Sequence, residues 1–257
     1  MAAATDCPFC EGHESQTPPE TLALGRAGDL PDSPGWTVRV VPNKFPAMTG
    51  QEVVVHGPEH RLSLEDVAPE VLELVVEAWR LRAAEHRRRG AAWVMACVNE
   101  GAGAGASLEH SHSQIVPFAD VPPLVELAVA AIAAGCPLCR PVEDALLVCH
   151  DDGIRTFCPY WSRMPYETWL VPDEHVPEPP DAGALARALR DAVARLRAAL
   201  GQELDWNAVL KTAPAGVANF HWHVEITPRI TVPASVELGA GIWVNVVDPE
   251  TAAATLR

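Results

Sequence analysis

No run of about 18 apolar residues occurs in the 257-residue sequence, so a membrane-crossing helix is not expected. The start, Met1 to Asp6, has neither a basic region nor an apolar stretch long enough for a secretory signal, which makes a cytoplasmic protein the expectation. Basic residues are scarce. Nineteen Lys and Arg stand against 34 Asp and Glu, and a formal charge of -15 repels nucleic acid and anionic membrane, excluding both as general partners. A small anionic substrate is not excluded, because backbone N–H groups, neutral histidines and amides can hold it locally.

What is present fits an ordinary soluble globular chain: 48% apolar and 21% charged residues, with length for one large domain or two closely packed ones. Four of the seven cysteines form two C-x-x-C pairs, Cys7/Cys10 and Cys136/Cys139, which without an export signal read as metal ligands rather than disulfides. Cys97, Cys149 and Cys158 lie in apolar surroundings and read as core residues.

The chain reads as two copies of one unit, residues 1–125 and 126–257. Each C-x-x-C is followed by an apolar stretch, an acidic residue-His element, a long helical pattern and a His-x-His cluster leading into Pro. "VVVHGPEHRLSLEDV" in the first half matches "TWLVPDEHVPEPPD" in the second. Helices are expected over about Leu64 to Arg89 and Ala184 to Leu200, where apolar residues recur at three and four spacing, and a joining helix over 119–135. Strands are expected at 37–42, 52–57, 93–99, 113–118, 168–172, 207–212 and 221–228. These elements predict an α+β fold in which two repeats share one antiparallel sheet with helices against it.

A C-x-x-C turn supplies two of the four ligands of a tetrahedral zinc. Each turn here has a matching pair of histidines, giving Cys7, Cys10, His60 and His110 in one copy and Cys136, Cys139, His175 and His221 in the other. Both sets use all four positions, so two structural Zn2+ per chain are expected. In "NEGAGAGASLEHSHSQIVP" a glycine- and alanine-rich loop runs into His110-Ser111-His112-Ser113-Gln114, and alternation sends His110, His112 and Gln114 to one face. Small residues let backbone N–H groups approach a phosphate, His112 can attack phosphorus, and the Gln114 amide can donate to a nonbridging oxygen. The second cluster has Glu225 where the first has Gln114, and a carboxylate there repels phosphate, so only the first copy is read as catalytic. The run "EHRRR" at 85–89 reads as a solvated helix end.

At these residues the sequence resembles the galactose-1-phosphate uridylyltransferase family, the branch of the histidine-triad superfamily that includes ADP-glucose and diadenosine tetraphosphate phosphorylases. The likeness runs through "CPFC", "VRVVPNKFPA", "GPEHRLSL", the glycine loop, "CPLC", "NFHWHVEITPR" and "VELGAGIWVNVVDPETAA" in the family order. The resemblance implies that His112 becomes nucleotidylated, that Gln114, Ser107 and Asn99 surround the phosphates, and that Asn43 and Phe45 lie near the nucleoside; Ser113, between His112 and Gln114, is a further candidate substrate contact. It also implies that Glu237 faces the sugar, and that the protein is a homodimer whose active sites borrow residues from the partner chain. Two departures concern the sugar phosphate. Only six residues precede Cys7, where uridylyltransferases carry an arginine-bearing segment, and "TVPASVEL" (231–238) lacks the basic residue that galactose-handling members place before the matching glutamate.

The leading functional expectation is transfer of a nucleoside monophosphate from a nucleotide sugar to a phosphorylated acceptor through an adduct on His112, as in UDP-glucose–hexose-1-phosphate uridylyltransferases. The alternatives are an ADP-glucose or dinucleotide phosphorylase or hydrolase using the same histidine, and a zinc-stabilised nucleotide-binding protein without turnover.

Overall fold

β-Branched runs and amphipathic helices assemble into a single ten-stranded antiparallel sheet covered on one face by two long helices. The structure is a computed structural model, and it describes residues 7–26, 28 and 30–257. The strands are β1 (Leu22–Leu24), β2 (Val38–Pro42), β3 (Glu52–Val55), β4 (Trp93–Glu100), β5 (His112–Phe118), β6 (Leu147–Asp151), β7 (Ile154–Phe157), β8 (Thr168–Pro172), β9 (Trp206–Lys211) and β10 (His223–Pro228). The helices are α1 (Pro69–Arg88), α2 (Pro123–Gly135), α3 (Ala182–Leu200), α4 (Ser235–Ala240) and α5 (Pro249–Leu256). Sheet order is β1-β2-β3-β5-β4-β9-β10-β8-β7-β6. Outward from the β4·β9 pair, each half has the same connectivity, with α1 between β3 and β4 and α3 between β8 and β9.

Side-chain alternation divides each strand between two environments. Val38, Val40, Val54, Ile115, Leu170 and Ile226 point to the helix side, where Leu72, Val75, Val76 and Trp79 of α1 and Leu185, Leu189, Val193 and Leu196 of α3 close over them in one continuous core. The α3 N-terminus is capped by Asp181, whose carboxylate accepts from Gly183 N at 2.8 Å and Ala184 N at 3.2 Å. On the opposite face two small apolar clusters sit under the C-x-x-C turns: Phe9 with Trp36, Val41, Val53 and Val55, and Leu138 with Phe157, Trp169 and Val171.

All seven expected strands and the joining helix form. The structure adds β1, β6 and β7. β6 and β7 meet in a hairpin whose Asp152 and Gly153 have φ of 50° and 71°, the left-handed pair that an Asp-Gly turn favours. It also adds α4 and α5. α1 starts at Pro69 rather than near Leu64, because proline suits the first helical position, and Leu64–Asp66 forms its own short 3-10 turn. Cys97 and Cys158 are buried, whereas Cys149 is half-buried with its thiol 3.7 Å from Asp191. The helix end at 85–89 is only partly solvated: Arg88 and Arg89 pair with Glu85, but His86 turns inward.

Its inward partner is Glu52, which sits on β3 beneath α1 and accepts from Arg82 Nε and Nη2 at 2.8 Å each and from His86 Nε2 at 2.9 Å. Burial pushes the Glu52 carboxyl up, but the hydrogen bonds from His86 and Arg82 more than offset it and hold it at about 2. Glu52→Ala leaves Arg82 buried without its anion and is expected to cost about 3–5 kcal/mol in denaturant unfolding at pH 7. Because the folded-state pKa is depressed, Glu52 contributes most above its unfolded value of about 4.3, and the gap between variant and parent should narrow as pH falls toward 2.

Candidate active site

The two C-x-x-C turns and their histidines converge as the spacing predicts. In each copy the four candidate ligand atoms lie within 4.8 Å of one another. Cys7 Sγ is 3.5 Å and Cys10 Sγ 3.7 Å from His110 Nδ1, and Cys10 Sγ is 3.6 Å from His60 Nδ1. In the second copy Cys136 and Cys139 Sγ are 3.5 and 3.6 Å from His221 Nδ1, with His175 Nδ1 3.1 Å from Cys139 Sγ. A tetrahedral ion bound by thiolate and imidazole separates sulfur from nitrogen by about 3.5 Å, so both groups are dimensioned for a metal. The rings are also oriented for one. His110 Nε2 donates to Gly57 O at 3.0 Å and His221 Nε2 to Pro172 O at 2.9 Å, which leaves each Nδ1 lone pair for the ligand position. Without a cation, burial and the neighbouring Cys7 push the Cys10 thiol up to about 11; a divalent ion between the sulfurs reverses that cost.

The loop between β4 and β5 closes one end of a cleft of about 670 Å³, lined by Asn99, Ser107, His110, His112, Glu100 and Leu62 among others. Its glycines are fixed by Asp205, which stands just before β9 in the second half of the chain. Asp205 Oδ2 accepts from Gly103 N at 2.6 Å, and at Gly101, where φ is +87°, an added Cβ would fall 1.6 Å from Asp205 Oδ1. Glu100 is held below the loop by Leu64 N at 2.8 Å, Trp206 Nε1 at 3.1 Å and the Arg197 guanidinium, and burial raises its carboxyl above the usual range.

His112 opens β5 and is 6% exposed. Its Nδ1 lies 2.7 Å from His110 O, and since a carbonyl only accepts, Nδ1 carries the proton. Burial lowers its pKa, which favours neutral imidazole with an unprotonated Nε2. Phe9 packs against the ring with centroids 5.5 Å apart.

The structure gathers Asn99, Ser107, His110 and His112 around the cleft and places Gln114 two residues along the His112 face. Ser113 is not brought there. The same alternation turns it to the helix side, where its hydroxyl meets His56 Nε2 at 2.8 Å and Trp79 Nε1 at 2.7 Å and its exposure is 0%. Asn43 and Phe45 follow β2 in an open loop, with Phe45 83% exposed and its N–H donating to Asn43 Oδ1 at 2.9 Å. Glu237 is half-buried on α4, accepts from Ala234 N at 2.8 Å and does not line the cleft of its own chain.

The second cluster differs in more than one charge. Glu225 is paired with Lys211 and Arg163, each at 2.9 Å; burial pushes its carboxyl up, but His223 and Lys211 more than offset this and hold it at about 2. His223 keeps the Nδ1 contact to His221 O at 3.0 Å, yet its Nε2 faces Glu225 at 3.5 Å and its ring is stacked on Trp169, centroids 4.9 Å apart and planes 10° apart. Trp169 stands across from Glu225 in the ladder, where the first copy has Val53 across from Gln114. Thus the carboxylate is locally neutralised, and an indole stacks on the imidazole where the first copy has only the tilted Phe9 ring.

Sequence reading did not find Asp205, Glu100 or Arg197, because their meeting depends on β4 pairing with β9. Metal analysis of the purified protein should return about two ions per chain, one for each four-ligand group. Cys7→Ser or Cys136→Ser should lower that count by one and destabilise the fold well before it alters His112 chemistry, because binding energy at a closed site is folding energy.

Comparison with known proteins points one way. The family model for the N-terminal domain of galactose-1-phosphate uridyl transferase matches residues 44–122. The ADP-glucose phosphorylase of Arabidopsis thaliana is 25% identical over 296 residues, covering 98% of this chain and 82% of that one. The galactose-1-phosphate uridylyltransferase of Thermotoga maritima is 27% identical over 285 residues, covering 98% and 89%. A crystal structure of the Arabidopsis phosphorylase with bound ADP-glucose superposes with a TM-score of 0.89 at 25% identity over 98% of this chain and 90% of that chain. A uridylyltransferase structure gives 0.83 at 25% identity over 100% and 91%. With its doubled sheet and paired Cys-His groups, the chain is similar over nearly its whole length to galactose-1-phosphate uridylyltransferases and to the ADP-glucose phosphorylase.

Proposed function

We propose that the protein is a nucleotidyltransferase that moves a nucleoside monophosphate from a nucleotide sugar through a covalent adduct on His112. The observation that carries this reading is the Nδ1 contact of His112 to the His110 carbonyl, which leaves Nε2 as a free lone pair beside a glycine-rich loop. In the first step Nε2 attacks the α-phosphorus, the P–N bond forms, and the P–O bond to the β-phosphate breaks to release a sugar 1-phosphate. The ring becomes cationic without moving a proton, because its Nδ1–H stays on the carbonyl. In the second step an acceptor oxygen attacks the same phosphorus and the P–N bond breaks, restoring neutral His112. Gln114, Asn99 and Ser107 donate to the phosphate oxygens as charge develops. Asn43 and Phe45 border the nucleoside.

Zinc in both four-ligand groups would pin each His-x-His strand to the C-x-x-C turn of its own repeat, since closed thiolate-imidazole sites suit that ion and leave no position for substrate. The working form in this reading is a cytoplasmic homodimer. Exposed Ile230, Val232, Leu238, Ile242, Trp243 and Val246 form an apolar segment around Glu237, suited to packing on a partner and carrying Glu237 to that partner's sugar site. Sedimentation should report a dimer. Inorganic phosphate is the second acceptor to consider, favoured by the higher superposition with the ADP-glucose phosphorylase and by the lack of a basic residue in 231–238.

Intact-protein mass spectrometry after incubation with UDP-glucose, UDP-galactose, ADP-glucose and diadenosine tetraphosphate in turn tests the reading, since the adduct mass identifies the nucleotide. His112→Ala should keep metal content and folding but form no adduct, and Gln114→Glu should slow adduct formation by about two to three orders of magnitude or more. His223→Ala should be far milder. An adduct that persists on His112→Ala, or maps to His223, would overturn the assignment.

A further inference from the structure

Two side-chain amides offered as phosphate donors, Asn99 in the cleft lining and Gln114 farther along the His112 face, can each be oriented in two ways, one leaving NH2 free and the other leaving free an oxygen that would repel phosphate. Each is in contact with a second amide, and each pair ends on a backbone group whose polarity cannot invert. On one side Gln51 Oε1 accepts from Ala47 N at 2.7 Å and Met48 N at 3.4 Å. Those donors fix which end of Gln51 is oxygen, so its Nε2 is the end that meets Gln114, and the Gln114 atom it meets must be Oε1. On the other side Asn207 Nδ2 donates to the carbonyl of Ala104 at 2.8 Å, which fixes that end as nitrogen, and its second hydrogen goes to Asn99 Oδ1 at 2.8 Å. Among the described residues neither Gln114 Nε2 nor Asn99 Nδ2 has a protein acceptor.

We propose that Gln51 and Asn207 are positioning residues that lock Gln114 and Asn99 with both NH2 groups toward the substrate phosphates. This rests on the nucleotidyl-transfer reading for its consequence, though not for the orientation itself. The placement has a further effect. Gln51 takes its polarity from Ala47 and Met48, in the loop that begins at Asn43 and Phe45 and is tied back by Asn43 N to Gln51 O at 2.9 Å. A nucleoside that orders this loop therefore also orders the donor beside His112. Asn207 lies directly across from Asn99 in the β4·β9 ladder, so the other donor is set by the second repeat.

The orientation is tested on the metal-loaded full-length protein without substrate, by through-hydrogen-bond scalar coupling in 15N,13C-labelled material. Coupling is expected from the Gln51 side-chain nitrogen to Gln114 Cδ and from the Asn207 nitrogen to Asn99 Cγ. Coupling in the reverse sense, or amide protons exchanging as fast as those of free glutamine, would overturn the proposal. The consequence is tested by a double-mutant cycle on His112 adduct formation. Gln51→Glu retains the acceptor for Ala47 and removes the donor, so Gln114 must flip its NH2 toward the introduced carboxylate. Adduct formation should slow by about a hundredfold, as for a lost oxyanion donor, with KM for the nucleotide sugar changing much less. In a Gln114→Ala background the same change should cost little more, whereas plain charge repulsion or unfolding would act equally in both backgrounds and sink the idea. Asn207→Asp with Asn99→Ala repeats the cycle on the other side. If the couplings appear but the parent protein forms no adduct with any nucleotide sugar, the functional reading fails and the orientation stands.

Discussion

The antiparallel ladder between β4 and β9 is the contact on which the rest of the site depends. It sets Asn99 across from Asn207 and Glu100 across from Trp206, joining residues about half the chain apart. From that register follow the reach of Asp205 to Gly103, of Arg197 to Glu100 and of Asn207 to Asn99. The cleft belongs to the first repeat by its histidines, but its floor is held by the second. A shift of one residue in this pairing would turn Asn207 to the helix side and leave the glycine loop without its carboxylate.

The two repeats use the same architecture differently. In both, a buried imidazole is fixed by a bond to the carbonyl two residues back, and a Cys-His group holds the strand beneath it. The divergence sits in the neighbouring strand, where Val53 in one copy holds the ladder position that Trp169 holds in the other. A valine cannot cover the ring across the ladder; an indole can and does, at 4.9 Å. The anionic Glu225 is sufficient in sequence to mark the second cluster as different, but in the fold Lys211 and Arg163 compensate its charge, and the tryptophan stacked on His223 is the further difference.

Much of this was legible because it repeats with a physical period. Strands such as Trp93–Glu100 and helices such as Ala182–Leu200 carry alternation or three-four spacing over enough residues to be read locally. The four-ligand groups were legible because chemistry fixes their residue types and the chain presents them twice. β1 was not, since three residues carry no period, and β6 and β7 were missed although Asp152-Gly153 marks their turn. Ser113 reads as a candidate substrate contact from its place in the histidine cluster, while the alternation that sets His112 and Gln114 on one face places it on the helix side. Gln51, Asp205 and Asn207 carry no local signal at all; only tertiary pairing gives them neighbours.

The continuous sheet also bears on how two such unlike halves can coexist. A single repeat would end at the β4 edge with its backbone donors and acceptors unpaired, and its simplest satisfaction is a second copy of itself across a twofold axis. In an assembly of identical chains every substitution appears on both sides of that axis, so a tryptophan stacked on one imidazole is stacked on both. Covalent linkage through α2 removes this constraint. Each half can then drift alone, and the different neighbours of His112 and His223 are such a drift.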